Sequence, residues 1–180
     1  YSRASELSKQ LVDLFGLTDA VVTPTLLNDE QLIAQDIGKA AADYIAKNLL
    51  NGTVIGVGRG MTVFRTAASL PNVRLFPTVV PLAGGLGPAD GQYPVSENAR
   101  RFAERLGGKC NYLYAPVIVK SASMRETFMA EANSRRVVEL WDRLDWVVTG
   151  IGRVPPRDVN SSSEYTEALA AFVRETGTRP

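Results

Sequence analysis

Histidine is missing from this 180-residue sequence. Without an imidazole the chain has no histidine for general acid–base catalysis and no serine or cysteine triad that depends on one. Most zinc sites are excluded as well. Cysteine is nearly missing too: Cys110 stands alone, so no intrachain disulfide or cysteine-ligated cluster can form. A reducing cytoplasm is the compartment this usage suggests. Charge is balanced, with 20 basic against 19 acidic side chains and a net charge of +1. There is no global basic excess to draw the chain onto nucleic acid or an acidic membrane surface. No apolar run approaches the ~20 residues of a membrane span. With 45% hydrophobic and 22% charged residues, the composition is that of one globular domain with a substantial core.

What is present is glycine in clusters, each where a short apolar run ends. Val54-Ile55-Gly56-Val57 leads into Gly58-Arg59-Gly60-Met61-Thr62. Phe76 to Leu82 leads into Gly84-Gly85-Leu86-Gly87, and Trp146-Val147-Val148-Thr149 into Gly150-Ile151-Gly152. Short runs rich in β-branched residues read as strands buried on both faces. Glycine just beyond such a strand lets backbone N–H groups approach an anion closely. Ligands of open α/β sheets sit beyond the carboxyl ends of the strands. Three such ends point to one cleft, with a phosphate as its natural guest.

Between these strands the pattern turns helical. Ser5 to Phe15 is amphipathic, with Leu7, Leu11, Leu14 and Phe15 on one face and Gly16 as its stop. Ala20 to Pro24 reads as a short strand. Asn28-Asp29 opens a helix over Leu32 to Leu50 whose expected buried stripe is Ile33, Ile37, Ala41, Tyr44 and Ile45. Thr62 to Leu70 is a short helix, Leu75 to Leu82 a strand, and Val95 to Leu106 a helix stopped by Gly107-Gly108. Asn111 to Val119 reads as a strand, bent or at an edge because of Pro116. Ser121 or Ser123 caps the next helix, with Glu126 placed for a capping box from Ser123. Arg135 to Leu144 is helical, and a last helix runs from Tyr165 to Thr176. Strands alternating with helices imply an α/β fold, a mostly parallel sheet with helices on both faces.

The candidate site follows from these junctions. At Gly58 to Thr62 a helix begins near Met61, so its free N–H groups and positive dipole end face the loop. Thr62 can add a hydroxyl and Arg59 a charge. The spacing is neither a P-loop nor G-x-G-x-x-G, and a tight turn without ligand fits it as well. Gly84, Gly85, Leu86 and Gly87 either shape a cleft rim or form a plain connection. Asp90 and Glu97 either accept sugar hydroxyls or serve as solvated helix-start charges. Lys120, with Arg125 nearby, either meets an anion, or forms a Schiff base if buried, or snorkels at the surface. Gly150 and Gly152 close the cleft or only a turn. Arg100-Arg101, with Glu97 and Glu104, read as a salt-bridged helix face.

The order of motifs resembles the sugar-binding domain of SorC-type bacterial transcriptional regulators. The resemblance is carried by Leu14-Phe15-Gly16-Leu17, Gly38 to Tyr44, Val54 to Thr62, Val80 to Gly87, Ala103 to Gly108, Ala115 to Val119 and Val148 to Gly152, and covers nearly the whole chain. It implies a scaffold similar to ribose-5-phosphate isomerase and the CoA transferases, and a non-enzymatic domain that senses a phosphorylated sugar without a cofactor. It also implies a homo-oligomer, dimer or tetramer, with operator DNA bound by a helix-turn-helix head outside these residues. On this resemblance the chain is expected to be a truncated effector domain. Gly58, Gly60, Met61 and Thr62 would hold the phosphate and Gly84, Gly85 and Gly87 would line the sugar. Lys120, Arg125, Gly150 and Gly152 would close the other side. A sugar-phosphate isomerase or transferase on the same scaffold, and a purely structural oligomerisation module, are the alternatives.

Overall fold

The elements in chain order are α1 (Ser2–Phe15), α2 (Glu30–Asn48), β1 (Val54–Val57), α3 (Met61–Ser69), β2 (Thr78–Pro81), α4 (Val95–Arg105), β3 (Lys109–Cys110), α5 (Ala122–Ala130), α6 (Ala132–Trp141) and β4 (Trp146–Val148). They come from a computed structural model that describes residues 2–24, 29–86 and 93–152. The expected helix over Tyr165 to Thr176 lies outside those residues. The strands form one sheet in the order β3-β2-β1-β4, every pair parallel. The chain therefore steps from β1 outward through β2 to β3, then crosses back to lay β4 on the other side of β1. That reversal puts the topological switch point between β1 and β4, where open α/β sheets leave a crevice at the carboxyl ends.

Strand residues alternate between two faces. Ile55, Val57 and Val79 join Ala42, Ile45, Leu49, Val63, Ala67, Leu70, Ala99, Phe102 and Leu106 in the main core beneath α2, α3 and α4. The intervening residues look the other way. A β-carbon on Gly56 would stand 3.0 Å from Leu144, and the Trp141 indole N–H donates to the Pro81 carbonyl at 2.9 Å. Helices thus cover both faces, as the alternation of strand and helix implied. Among the described residues no helix is long and apolar enough to cross a membrane.

Several boundaries differ from the sequence reading, each for a local reason. The α2 stripe is turned by one position: Ala34, Gly38, Ala42 and Ile45 are buried, whereas Ile37 is exposed. Gly38 sets this rotation, because a β-carbon there would lie 2.7–2.8 Å from the Arg65 β-carbon and the α3 backbone. Small size here, rather than hydrophobicity, decides which side meets α3. Residues 20–24 form no strand; Val21 and Thr23 instead border a groove beside α2 and β4. β2 starts at Thr78 rather than Leu75 because Phe76 takes φ +47°, which breaks the extended run. The strand expected over Asn111 to Val119 does not form: β3 is Lys109–Cys110, just before it, and within the expected span only Pro116 makes an isolated pairing, with Gly85. Proline offers no N–H to prolong that ladder. Ser121 alone accepts the capping bond, from the Met124 N–H at 3.2 Å. α6 begins three residues before Arg135, after the chain breaks at Glu131. The apolar stripe of α1 is uncovered by the other described elements, with Leu14 at 75% exposure.

Candidate functional site

The ends of β1 and β4 meet closely. The Gly58 N–H donates to the Val148 carbonyl at 2.8 Å, and a β-carbon on Gly58 would lie 2.9 Å from Thr149 Oγ1. Gly150 follows, with open space apart from Val63 of α3 at 3.9 Å. A glycine at position 58 is therefore what lets the two strand ends converge. Gly60 has a different task. Its φ of +111° is a conformation that L side chains rarely adopt, and nothing lies within 4 Å of where its β-carbon would be. It is the N-cap residue of α3 and supplies no side-chain capping bond. The opening N–H groups of α3 at Met61 and Thr62 thus face an uncrowded space at the positive end of the helix dipole. Arg59, Met61 and Thr62 are all half-buried around it.

The loop is held from behind by a residue the sequence reading passed over. Asn98 of α4 is fully buried, and its Nδ2 donates to the carbonyls of Gly58 at 3.2 Å and Gly60 at 3.4 Å. By engaging two carbonyls of the loop, it fixes the backbone that leads into the start of α3 at Met61. Its Oδ1 is buried without a partner. The signal was a polar side chain on an otherwise apolar stripe, since Val95, Ala99, Phe102 and Ala103 are the other buried residues of α4.

The second glycine cluster splits. Gly84 is buried so tightly that a β-carbon would collide with the Ala115 carbonyl, so its glycine is structural. Gly85 is bound on both sides, its N–H to Ala115 and its carbonyl from Val117, each at 3.0 Å. Leu86 is half-buried beside it. Gly87 and Asp90 lie outside the described residues. Glu97 forms two ion pairs: Arg100 Nε and Arg101 Nε donate to its two oxygens at 2.8 and 2.7 Å, and Arg100 also meets Glu104 at 3.0 Å. The hydrogen bonds from Arg100, helped by Arg101 and opposed by burial, hold the Glu97 carboxyl down to about 2. The salt-bridged face expected on α4 is therefore present. Arg101 also lies 4.5 Å from the centre of the Phe64 ring, which ties α4 to α3.

Lys120 and Arg125 are exposed, on or beside α5, a helix that buries none of its residues and packs on α6. Gly152 is exposed with open space around it. The structure thus places Gly58 to Thr62 and Gly150 at the adjoining carboxyl ends of β1 and β4, anchors Gly84 and Gly85 one strand away, and leaves Lys120 and Arg125 on the surface. Burial pushes the Cys110 thiol up to about 11, so it is a poor nucleophile. Among the described residues no cluster of acidic or cysteine side chains could hold a metal ion.

The Sugar-bind family of sugar-binding domains matches residues 1–172. The sorbitol operon regulator of Klebsiella pneumoniae is 30% identical over 163 residues, covering 88% of this chain and 51% of its own length. The erythritol catabolism regulatory protein EryD of Brucella abortus is 28% identical over 152 residues, covering 83% of this chain and 48% of its own. The chain spans about half the length of the curated relatives it matches. Among solved structures, the full-length SorC regulator of K. pneumoniae aligns at a TM-score of 0.88 and 25% identity, covering 98% of this chain and 58% of that one. A DeoR family regulator from Listeria monocytogenes shares the fold at a TM-score of 0.78 and 21% identity, covering 97% of this chain and 67% of that one.

Proposed function

The chain belongs to the Sugar-bind family of sugar-binding domains, and on that premise we propose that it is the ligand-sensing domain of a transcriptional regulator of carbohydrate use, with a phosphorylated sugar as its effector. The phosphate is received by the Met61 and Thr62 N–H groups and the Thr62 hydroxyl, and Gly150 leaves room on the facing side. The observation that carries this reading is the uncapped start of α3, open at Gly60 and held by buried Asn98. Helix N-termini of this kind stabilise phosphate through free N–H groups and the helix dipole. In the whole protein, operator DNA is bound by a separate region of a homo-oligomer. The effector acts there through unequal affinity for two arrangements of that assembly.

The domain senses its sugar without turning it over. Isomerisation needs a poised base at the ligand. Glu97 is ionised but occupied by two arginines. Lys120 is exposed, without the desolvation that makes a lysine nucleophilic.

A thermal-shift screen of phosphorylated sugars, followed by calorimetry, tests the reading. A ligand at 100 times its Kd stabilises the folded form by about 2.7 kcal/mol. Thr62→Ala removes a hydrogen bond to a charged group, about 1.5–3 kcal/mol, and weakens the effector roughly tenfold or more. Gly60→Val weakens it further by filling the open space. Unchanged affinity in both variants would remove the phosphate from this loop.

A further inference from the structure

The sensing site proposed above lies at the carboxyl ends of the strands. A groove of about 720 Å³ lies at their amino ends, between the starts of β1, β2 and β3 and the outer side of α6. Its wall includes Thr78, Lys109, Asn111, Arg136, Glu139 and Arg143. The phosphate loop follows the other end of β1, so the strand's length, roughly 10 Å, separates the two places. We propose that this groove binds a multivalent anion, one with anionic groups at two or more separate points, as in a polyphosphate or a polycarboxylate.

The local sequence builds the groove. β3 pairs with β2 in the register Thr78↔Lys109 and Val79↔Cys110. Side chains alternate along a strand. Val79 and Cys110 therefore face the main core, and Thr78 and Lys109 face the other way, toward the side of α6. On that helix Ser134 and Val137 are the buried residues. Arg136 and Glu139 are exposed, and Arg143 is exposed in the turn just past the helix end.

Three observations select this chemistry. First, three cations on the wall meet one carboxylate, Glu139, in a chain whose overall charge is only +1. Asp145, which accepts from the Val54 N–H at 2.8 Å near the same strand start, still leaves the local balance positive. A concave low-dielectric wall focuses such a field on a ligand. Second, these cations are not consumed within the domain. Arg136 stands three residues before Glu139 and Arg143 four after it. At the same spacings on α4, Arg100 and Arg101 close on Glu97 and Glu104. Among the described residues, Lys109, Arg136 and Arg143 form no ion pair. Third, the cations are spread. Arg136 and Arg143 are about 10 Å apart along the helix direction, and Lys109 comes from a different element. That layout suits charges at separate points of one ligand better than a single phosphate. The Thr78 hydroxyl and Asn111 amide add neutral donors. No aromatic ring lines the groove to stack a nucleobase, and its volume is that of a small-molecule site.

The test uses two probes on the whole chain, inorganic tripolyphosphate and citrate. Calorimetry is expected to show at least one of them binding, less tightly as salt is raised from about 50 to about 200 mM. Binding of tripolyphosphate alone assigns the groove to phosphoryl anions, and binding of citrate alone to carboxylates. The double variant Arg136→Ala, Arg143→Ala, checked as folded by circular dichroism, weakens the bound probe roughly tenfold or more. Arg136→Lys with Arg143→Lys recovers most of that loss. Gly60→Val, which fills the space at the phosphate loop, leaves the probe's affinity unchanged. Failure of both probes to bind overturns the proposal, as does equal affinity in wild type and the double alanine variant. Binding lost in Gly60→Val and kept in the double alanine variant would place the anion at the loop instead.

Discussion

β1 and β4 look alike in sequence and differ in place. Each is a short run of valines and aromatic or branched residues ending in glycine, and the two lie side by side in register from Ile55↔Trp146 to Val57↔Val148. All four residues of β1 are buried, with Ile55 at 1% exposure. No residue of β4 is fully buried, and Val147 stands 54% exposed. The difference is one of neighbours: β1 has a partner on each side and helices over both faces, whereas β4 closes the described sheet. A strand's composition states that it can be buried. Its position in the strand order decides how far it is, and that order depends on pairings distant in sequence.

The sharpest way to break the comparison is at Ile55. Its side chain points into the core beneath α2, α3 and α4, so Ile55→Ala removes buried methyl groups where three helices and the sheet meet. A loss of about 2–5 kcal/mol of unfolding free energy is expected, read as a lower urea midpoint with an unchanged slope. A loss under 1 kcal/mol would show that β1 is not the packed centre of the domain.

Asn98 comes next and concerns the loop at the end of β1. Asn98→Ala takes the side-chain donor from the buried Gly58 carbonyl and leaves the Gly60 carbonyl with the Phe64 N–H, a cost of about 1–3 kcal/mol. The same variant unpins the N–H face at Met61 and Thr62, so inorganic phosphate or a sugar phosphate protects the folded form less. Stability lost with phosphate protection intact would mean that Asn98 supports the core without positioning the loop.

These two residues also mark what was legible in the sequence. Ile55, in a β-branched run before glycine, is read as a buried strand, and the glycine past it as the start of a helix at Met61; both signals are local. Strand order, the α2 rotation about Gly38 and the shortening of β3 rest on contacts between segments far apart, which no window of residues encodes. The site divides in the same way. Gly58, Gly60 and Thr62 announce themselves by spacing, but Asn98 lies 38–40 residues away. Tyr112 and Tyr114 fall in a stretch that reads as a regular strand, where alternate residues would simply share a face. The ladder ends at Cys110, and beyond it Tyr112 and Tyr114 border a cavity of about 220 Å³.

Val147 should give the smallest effect and the most direct reading of the edge. Val147→Thr keeps the branched shape and adds a hydroxyl on a half-open surface, where substitutions usually change stability by less than about 0.5 kcal/mol. The residue borders an apolar groove of about 350 Å³ together with Ile37, Ala41, Tyr44 and Trp146. If β4 is an open edge in solution, the variant unfolds at the same urea midpoint as wild type at every protein concentration. A loss above 1 kcal/mol that grows with protein concentration would mean that another copy of the chain covers this groove. Val147 would then be as buried as Ile55, and the contrast between the two strands would hold only for the separate chain.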